Sequence, residues 1–272
     1  MSITLLNGDC LERLKELPAA SIDCFICDLP YGCLSTGFRG KGDMPRYING
    51  EIQDTMIKTE GCQWDIKIPL EPLWEQIRRL RKSDHTPCLM FCTTKFGNEL
   101  INSNPSEFRY DLVWDKQRGV SFLTANKMPM RSHEMIYVFS KTGAFYNRVD
   151  IKGDFKEWKK DTTSIIKAQV YIDERERGGN STGGDGKRCP LSVINIKQKA
   201  SYQMKGGHPT EKPMELYKFL IERYCPVNGT ILDPTAGSFN SCFAAMDLNR
   251  HAIGIEKNPE FFKKACERAD AL

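Results

Sequence analysis

Asp28-Leu29-Pro30-Tyr31 places a carboxylate, a backbone carbonyl in a proline turn and an aromatic ring within four residues. Together these groups can hold an exocyclic amino group, with two acceptors for its hydrogens and a flat face for the ring that carries it. Taken alone, the tetrapeptide also reads as a strand-end turn with a capping Asp and a packing Tyr, because short motifs recur by chance. A second set near the other end of the chain, Asp233-Pro234-Thr235-Ala236-Gly237-Ser238, decides between the two. Gly237 allows a ligand to approach the backbone closely, and the helix expected after it offers unpaired N–H groups. Glu256, 23 residues beyond Asp233, ends Ile253-Gly254-Ile255-Glu256. An acid at that point is placed to accept hydrogen bonds from two ribose hydroxyls. The glycine pattern of a pyrophosphate site, GxGxxG, is absent, so a nucleoside is implied and a dinucleotide is not.

Both motifs need strands that stop where the chemistry begins. The apolar run at 22–28 is bounded by a Pro-Gly cluster, as expected of a buried parallel strand, and ligands of α/β sheets bind at the carboxyl ends of such strands. Strand patterns also fall at 3–6, 88–92, 108–114 and 134–140, and helical patterns at 10–17, 70–82 and 95–101. After a patternless stretch the alternation returns. Leu216, Tyr217, Leu220, Ile221 and Tyr224 form a helical stripe, followed by strand 230–232, helix 239–248, strand 251–255 and helix 259–271. Strands alternating with helices argue for an α/β fold with a mostly parallel sheet covered on both faces. Two long segments lack periodicity. Residues 32–64 have the length of a functional lid, and residues 148–205 include the turn-rich tract 178–186. We therefore expect a domain of residues 1–147 plus 206–272, with 148–205 inserted.

The composition is that of an ordinary globular protein, 40% hydrophobic and 27% charged. No apolar stretch is long enough for a membrane span and no signal-peptide pattern opens the chain, so an intracellular, cytoplasmic protein is expected. Eleven cysteines scattered through apolar segments read as buried small hydrophobes in a reducing compartment. Cys24 and Cys27 resemble half a zinc site, but on a strand they point to opposite faces, and no second pair exists; no metal is expected. The net charge of +4 is unevenly spread: residues 148–205 carry 13 Lys/Arg against 8 Asp/Glu, a net of +5 that leaves the remainder at −1. Such a local excess suits phosphate contact through counterion release, and it also suits a solvated face.

In motif order the chain resembles the permuted, beta class of amino-methylating DNA methyltransferases that use S-adenosylmethionine. In that class an Asp-Pro-Pro-Tyr motif comes first, then a target-recognition region, then an Asp-Pro-x-x-Gly cofactor motif. The resemblance covers most of the chain. Asn7-Gly8-Asp9-Cys10, Arg109-Tyr110-Asp111-Leu112-Val113-Trp114-Asp115-Lys116, Arg131-Ser132-His133-Glu134 and His208-Pro209-Thr210-Glu211-Lys212-Pro213 match further family segments in order. Two departures stand out: Leu29 replaces the family's first proline, and Phe239-Asn240-Ser241 stands where Gly-Thr-Thr is common.

The resemblance implies a Rossmann-like methyltransferase fold with an inserted target-recognition region, acting on double-stranded DNA in a bacterial or phage-infected cell, with a homodimer common in the family. Asp28, Leu29, Pro30 and Tyr31 would be catalytic. Asp9 and Cys10 would meet the cofactor adenine, Glu256 its ribose, and Asp28, Asp233, Ala236, Gly237 and Ser238 would line its pocket, with Thr210 and Lys212 near its carboxylate. Lys212 has a second reading as a surface lysine at a helix start, and His133 beside Glu134 reads as a structural hydrogen-bonding residue. The family's adenine members more often carry Asp first, which favours adenine N6 over cytosine N4. Cytosine-C5 chemistry needs a Pro-Cys nucleophile, and Pro87-Cys88 lies inside an apolar strand, outside the motif order. A catalytically inactive DNA-binding module is the alternative from another class, and the intact Asp28, Tyr31, Asp233 and Glu256 speak against it.

Overall fold

The computed structural model describes residues 1–32, 46–48, 51–53, 65–120, 125–152, 187–198 and 211–271. By contact they divide into Met1–Asn147 with Ser192–Leu272, and a smaller unit, Arg148–Leu191. The larger unit is built on eight strands: β1 (Ile3–Asn7), β2 (Cys24–Cys27), β5 (Cys88–Cys92), β6 (Phe108–Val120), β7 (Arg131–Phe139), β10 (Val193–Asn195), β11 (Thr230–Asp233) and β12 (His251–Glu256). Their order is β1-β12-β11-β2-β5-β7-β6-β10. All neighbours pair in parallel except β7, which runs antiparallel to both β5 and β6. Two short antiparallel pairs lie outside this sheet. One joins β3 (Arg46–Ile48) to β4 (Glu51–Gln53), and the other joins β8 (Ile151–Lys152) to β9 (Lys187–Arg188) within the smaller unit.

Among the described residues, six helices complete the larger unit: α1 (Cys10–Glu16), α2 (Leu70–Leu80), α3 (Thr94–Ser103), α4 (Met214–Tyr224), α5 (Asn240–Asp247) and α6 (Pro259–Asp270). Their starts follow from local chemistry. The side chains of Asp9, Thr93 and Asn258 each accept a hydrogen bond from a first-turn N–H of α1, α3 and α6, and Pro259 opens α6 where its missing N–H costs nothing.

Every residue of β2 and of β5 is buried, as the strands of a sheet covered on both sides must be. The pleat sorts their side chains into two cores. Cys24, Ile26, Leu89, Phe91 and Ile231 pack with the stripe of α4 and with α5 on one face. Phe25, Cys27, Cys88, Met90 and Leu232 pack with α1, α2 and α3 on the other. Cys24 and Cys27 thus lie on opposite faces.

The structure differs from the sequence reading where periodicity is too short to register. β6 continues through Val120, paired to β7 across a register shift, and Val193–Asn195, inside the stretch read as insert, is an edge strand of the main sheet. Three residues with a single buried one, Ile194, leave no alternation to detect. Trp114 fixes this strand's exit by donating its indole N–H to the Ile196 carbonyl at 2.7 Å. The tract 178–186 and most of 33–64 lie outside the described residues. Among the described residues, no helix is long and apolar enough to cross a membrane.

One contact locks the C-terminal βαβ unit. A Cβ on Gly254 of β12 would stand 2.6 Å from Phe239 Cδ1 and 2.7 Å from Cys242 Sγ, both fully buried. Gly254→Ala should therefore cost about 1–3 kcal/mol by overpacking, read as a lower midpoint in chemical denaturation.

Candidate active site

The parallel strands β1, β12, β11 and β2 all end at the same edge of the sheet, and the two sequence motifs leave it side by side. Asp28 follows β2, and Asp233 is the last residue of β11. The Thr235 hydroxyl donates to the Asp28 carbonyl at 3.0 Å, joining positions 207 residues apart. Leu29 is buried in the core, so the residue that replaces a proline anchors this turn by packing. Tyr31 donates its hydroxyl to Asp28 Oδ1 at 3.0 Å and packs its ring on Phe96, 5.3 Å between centroids. Burial and the adjacent Asp28 carboxylate push the Tyr31 phenol well above its ordinary range, so it stays a donor. Gly32, at φ +66°, closes the turn by donating its N–H to Asp65 Oδ1 at 2.9 Å.

The other oxygen of Asp28 is paired with Lys212. This lysine, open to reading as a surface residue, is 5% exposed. Its ammonium lies 4.7 Å above the Phe91 ring and 3.5 Å from Glu134 Oε2. Glu134 Oε1 is in turn paired with Lys116, itself buried. Two partly buried carboxylates and two buried ammonium groups thus form one neutral chain. Burial alone would lower the Lys212 ammonium, but the Asp28 and Glu134 carboxylates reverse this and hold it above the ordinary lysine value. Burial alone would raise Glu134, but Lys212 and Lys116 outweigh it and keep the carboxyl low. Lys212 and Glu134 are therefore both in place as charges. The sequence pointed to Lys212 as a cofactor contact; in the structure its ammonium meets the two carboxylates. His133 is exposed, whereas its neighbour Glu134 joins the cluster.

The second motif is pinned from below. Asp233 is fully buried, accepting from Thr235 N at 3.1 Å and from the Ser241 hydroxyl at 2.5 Å. Burial raises its carboxyl to about 7. Gly237 and Phe239 both take the left-handed conformation, φ +52° and +58°. For Phe239 this costs about 1–2 kcal/mol, which is outweighed by burying a ring whose removal costs about 3–5 kcal/mol. The ring is wholly buried, 6.4 Å from that of Phe262. The phenylalanine therefore adopts the backbone turn a glycine would take, and stabilises it through the core.

Glu256 Oε2 accepts from Gly237 N at 2.9 Å and its Oε1 from Asn258 N at 2.7 Å; burial raises its pKa. Its carbonyl accepts from Gly8 N at 3.0 Å and Asn7 Nδ2 at 2.8 Å, which brings β1 and the Asp9 cap to the same edge. Asp9 meets Lys257 at 3.2 Å, and burial first, with Asp9 second, raises the Cys10 thiol to about 12, leaving it a neutral apolar contact. Ala236 and Ser238 flank Gly237. Small residues, a raised backbone and an oriented carboxylate make an edge fitted to a nucleoside with vicinal hydroxyls. Thr210 and His208 lie outside the described residues.

Three participants were not singled out by sequence: Thr235, Lys116 and Glu134 as an ionic partner. Lys116 and Glu134 stand inside recognisable segments, but buried pairing leaves no mark on spacing. Among the described residues, no group of His, Cys, Asp and Glu is disposed to hold a metal ion.

Comparison with known proteins gives the family. The family model described as DNA methylase, for N6 and N4 methyltransferases, matches residues 22–267. The chain belongs to the DNA amino-methyltransferases. Members of this family take their methyl group from S-adenosylmethionine. The Type II methyltransferase M.HindIII of Haemophilus influenzae is 40% identical over 97% of this chain and 94% of its own length. The DNA adenine methyltransferase YhdJ of Escherichia coli is 26% identical over 98% of this chain and 82% of its own. Among solved structures, the cytosine-N4-specific PvuII DNA methyltransferase shares the fold, with a TM-score of 0.61 at 15% identity over 98% of this chain and 86% of that one.

The raised Asp233 carboxyl has a consequence for stability. Between the ordinary value of 3.8 and about 7 the folded state holds a proton that the unfolded chain has lost. Stability from this group is therefore full below about pH 4 and falls as pH rises toward 7. Relative to Asp233→Asn, the native chain should lose up to about 1.4 kcal/mol per pH unit across that window, measured by denaturation at a series of pH values.

Proposed function

We propose that this amino-methyltransferase modifies the N6 amino group of adenine in double-stranded DNA, reached by flipping the base out of the duplex. The observation that carries this reading is the Thr235–Asp28 hydrogen bond, which ties the acceptor turn to the glycine turn at one sheet edge. An aromatic amino group is a poor nucleophile because its lone pair is delocalised into the ring. The Asp28 carboxylate and the Leu29 carbonyl accept its two hydrogens, favour a more tetrahedral nitrogen and aim its lone pair. Tyr31, fixed by Phe96 and by its bond to Asp28, offers a stacking face worth about 1–3 kcal/mol, against a few kcal/mol for extrusion. S-adenosylmethionine supplies an electrophilic methyl on a sulfonium sulfur. The Asp28 charge opposes the positive charge that grows on the attacked nitrogen, so catalysis is positioning and electrostatics, with no covalent enzyme intermediate.

On the cofactor side, Glu256 would take the ribose hydroxyls, and Asp9 with Cys10 would border the adenine. Ala236, Gly237 and Ser238 would form the floor, held from beneath by Asp233. The basic segment 148–205, apart from its main-sheet strand β10, is assigned to target recognition, through phosphate contacts first. The choice of adenine rests on Asp28 as the first residue of its motif and on the kinship with YhdJ. The cytosine-N4 specificity of the PvuII enzyme makes the modified base the point to test.

Incubation of unmethylated DNA with labelled S-adenosylmethionine, followed by nucleoside mapping, should yield N6-methyladenine; N4-methylcytosine would overturn the specificity assignment. Asp28→Asn should lower methyl transfer by about 10²–10³-fold, the scale of losing one preorganised electrostatic contact, with cofactor affinity unchanged by calorimetry. Lys212 keeps Glu134 as a partner in that variant, so the fold should persist. Glu256→Gln should weaken cofactor binding about 10-fold or more, because one ribose acceptor becomes a donor.

A further inference from the structure

The Asp28 carboxylate that must accept an amino hydrogen is already occupied: Tyr31 holds Oδ1 and the Lys212 ammonium holds Oδ2. A cation bound there opposes the very charge that methyl transfer develops. Lys212 cannot simply withdraw, because it is fully enclosed and an unpaired ammonium in such a place is heavily penalised. A second seat is nevertheless built beside it. Glu134 Oε2 is buried and has no hydrogen-bond partner, although the same carboxylate's Oε1 is firmly held by Lys116. A buried carboxylate oxygen left without a hydrogen bond is costly unless another state of the site uses it. It stands 3.5 Å from Lys212 Nζ, so a shift of about 0.7 Å would bring the two to the ~2.8 Å of a charge-assisted hydrogen bond. The Phe91 ring lies 4.7 Å beneath the ammonium and offers it an apolar face to slide across.

Resting on the proposed amino-methyl transfer, we propose that Glu134 is a positioning residue that receives Lys212 when a base enters, freeing Asp28 Oδ2 for the amino hydrogen. Lys116 holds Glu134 in place and keeps the cluster neutral throughout, so no net charge is created in the interior when Lys212 moves. No bond forms or breaks in this step; one ammonium exchanges one carboxylate partner for another.

The test uses the full chain with S-adenosylmethionine and duplex DNA. Its readouts are single-turnover methyl transfer, cofactor affinity by calorimetry, and the fluorescence of a 2-aminopurine placed at the target position to report base extrusion. Glu134→Gln removes the second seat but keeps its shape. It should slow transfer about 10–100-fold, the cost of misplacing a reacting group by about 1 Å, while cofactor affinity and the extrusion signal stay unchanged. Because this variant leaves an excess buried positive charge, Lys116→Met with Glu134→Gln restores neutrality and should recover thermal stability but not rate. Transfer at the native rate in Glu134→Gln, or rate recovering together with stability in the double variant, would overturn the positioning role. A native chain that binds the cofactor yet methylates no DNA would instead overturn the proposed function, and this inference with it.

Discussion

The parallel pairing of β2 with β11 is the constraint on which the site depends. It sets strands from opposite ends of the chain one sheet spacing apart, in matched register from Cys24 beside Ile231 to Phe25 beside Leu232. Since both run in the same direction, their carboxyl ends open onto the same edge. The acidic turn after β2 and the glycine turn after β11 then have no choice but to face one another. The proposed direct transfer between a methyl donor and an acceptor amine would require such proximity, because its rate depends on alignment.

Charge is handled differently on the two sides of that edge. On the cofactor side, Asp233 and Glu256 are raised by burial, and each is oriented by backbone and hydroxyl donors: Asp233 by Thr235 N and Ser241, Glu256 by Gly237 N and Asn258 N. These acids use part of their acceptor capacity to hold the turn together. On the proposed acceptor side, Asp28 and Glu134 are each paired with lysines within the protein. The first arrangement suits a rigid cradle for neutral hydroxyls. The second suits a site where positive charge must appear and be compensated without reorganising water.

The two departures from the family pattern are absorbed by packing. Leu29 substitutes core burial for the rigidity of a proline, and Phe239 enters a left-handed turn because its ring fills the space above Gly254. Both changes exchange backbone preference for buried apolar surface, and both leave the exposed geometry of their turns to neighbouring hydrogen bonds. Glycine at 254 and phenylalanine at 239 are thereby coupled: neither position can change freely while the other stays.

The sequence by itself determined the long elements, the α/β class, the two faces of β2 and the identity of the chemical groups. These depend on local periodicity, turn residues and functional-group type, which are properties of neighbouring residues. The short strand at 193–195 escaped notice because three residues carry no period, and Lys212 was open to reading as a surface lysine because burial is not a local property. Only the tertiary structure decided that Asp28 is met by Lys212, that Glu134 and not His133 enters the cluster, and that Thr235 fastens the two motifs together. Each of these links joins residues apart in the chain, and what fixes them, a hydrogen bond at Thr235 and the mutual neutralisation of charges removed from water at the others, exists only once the sheet has closed around them.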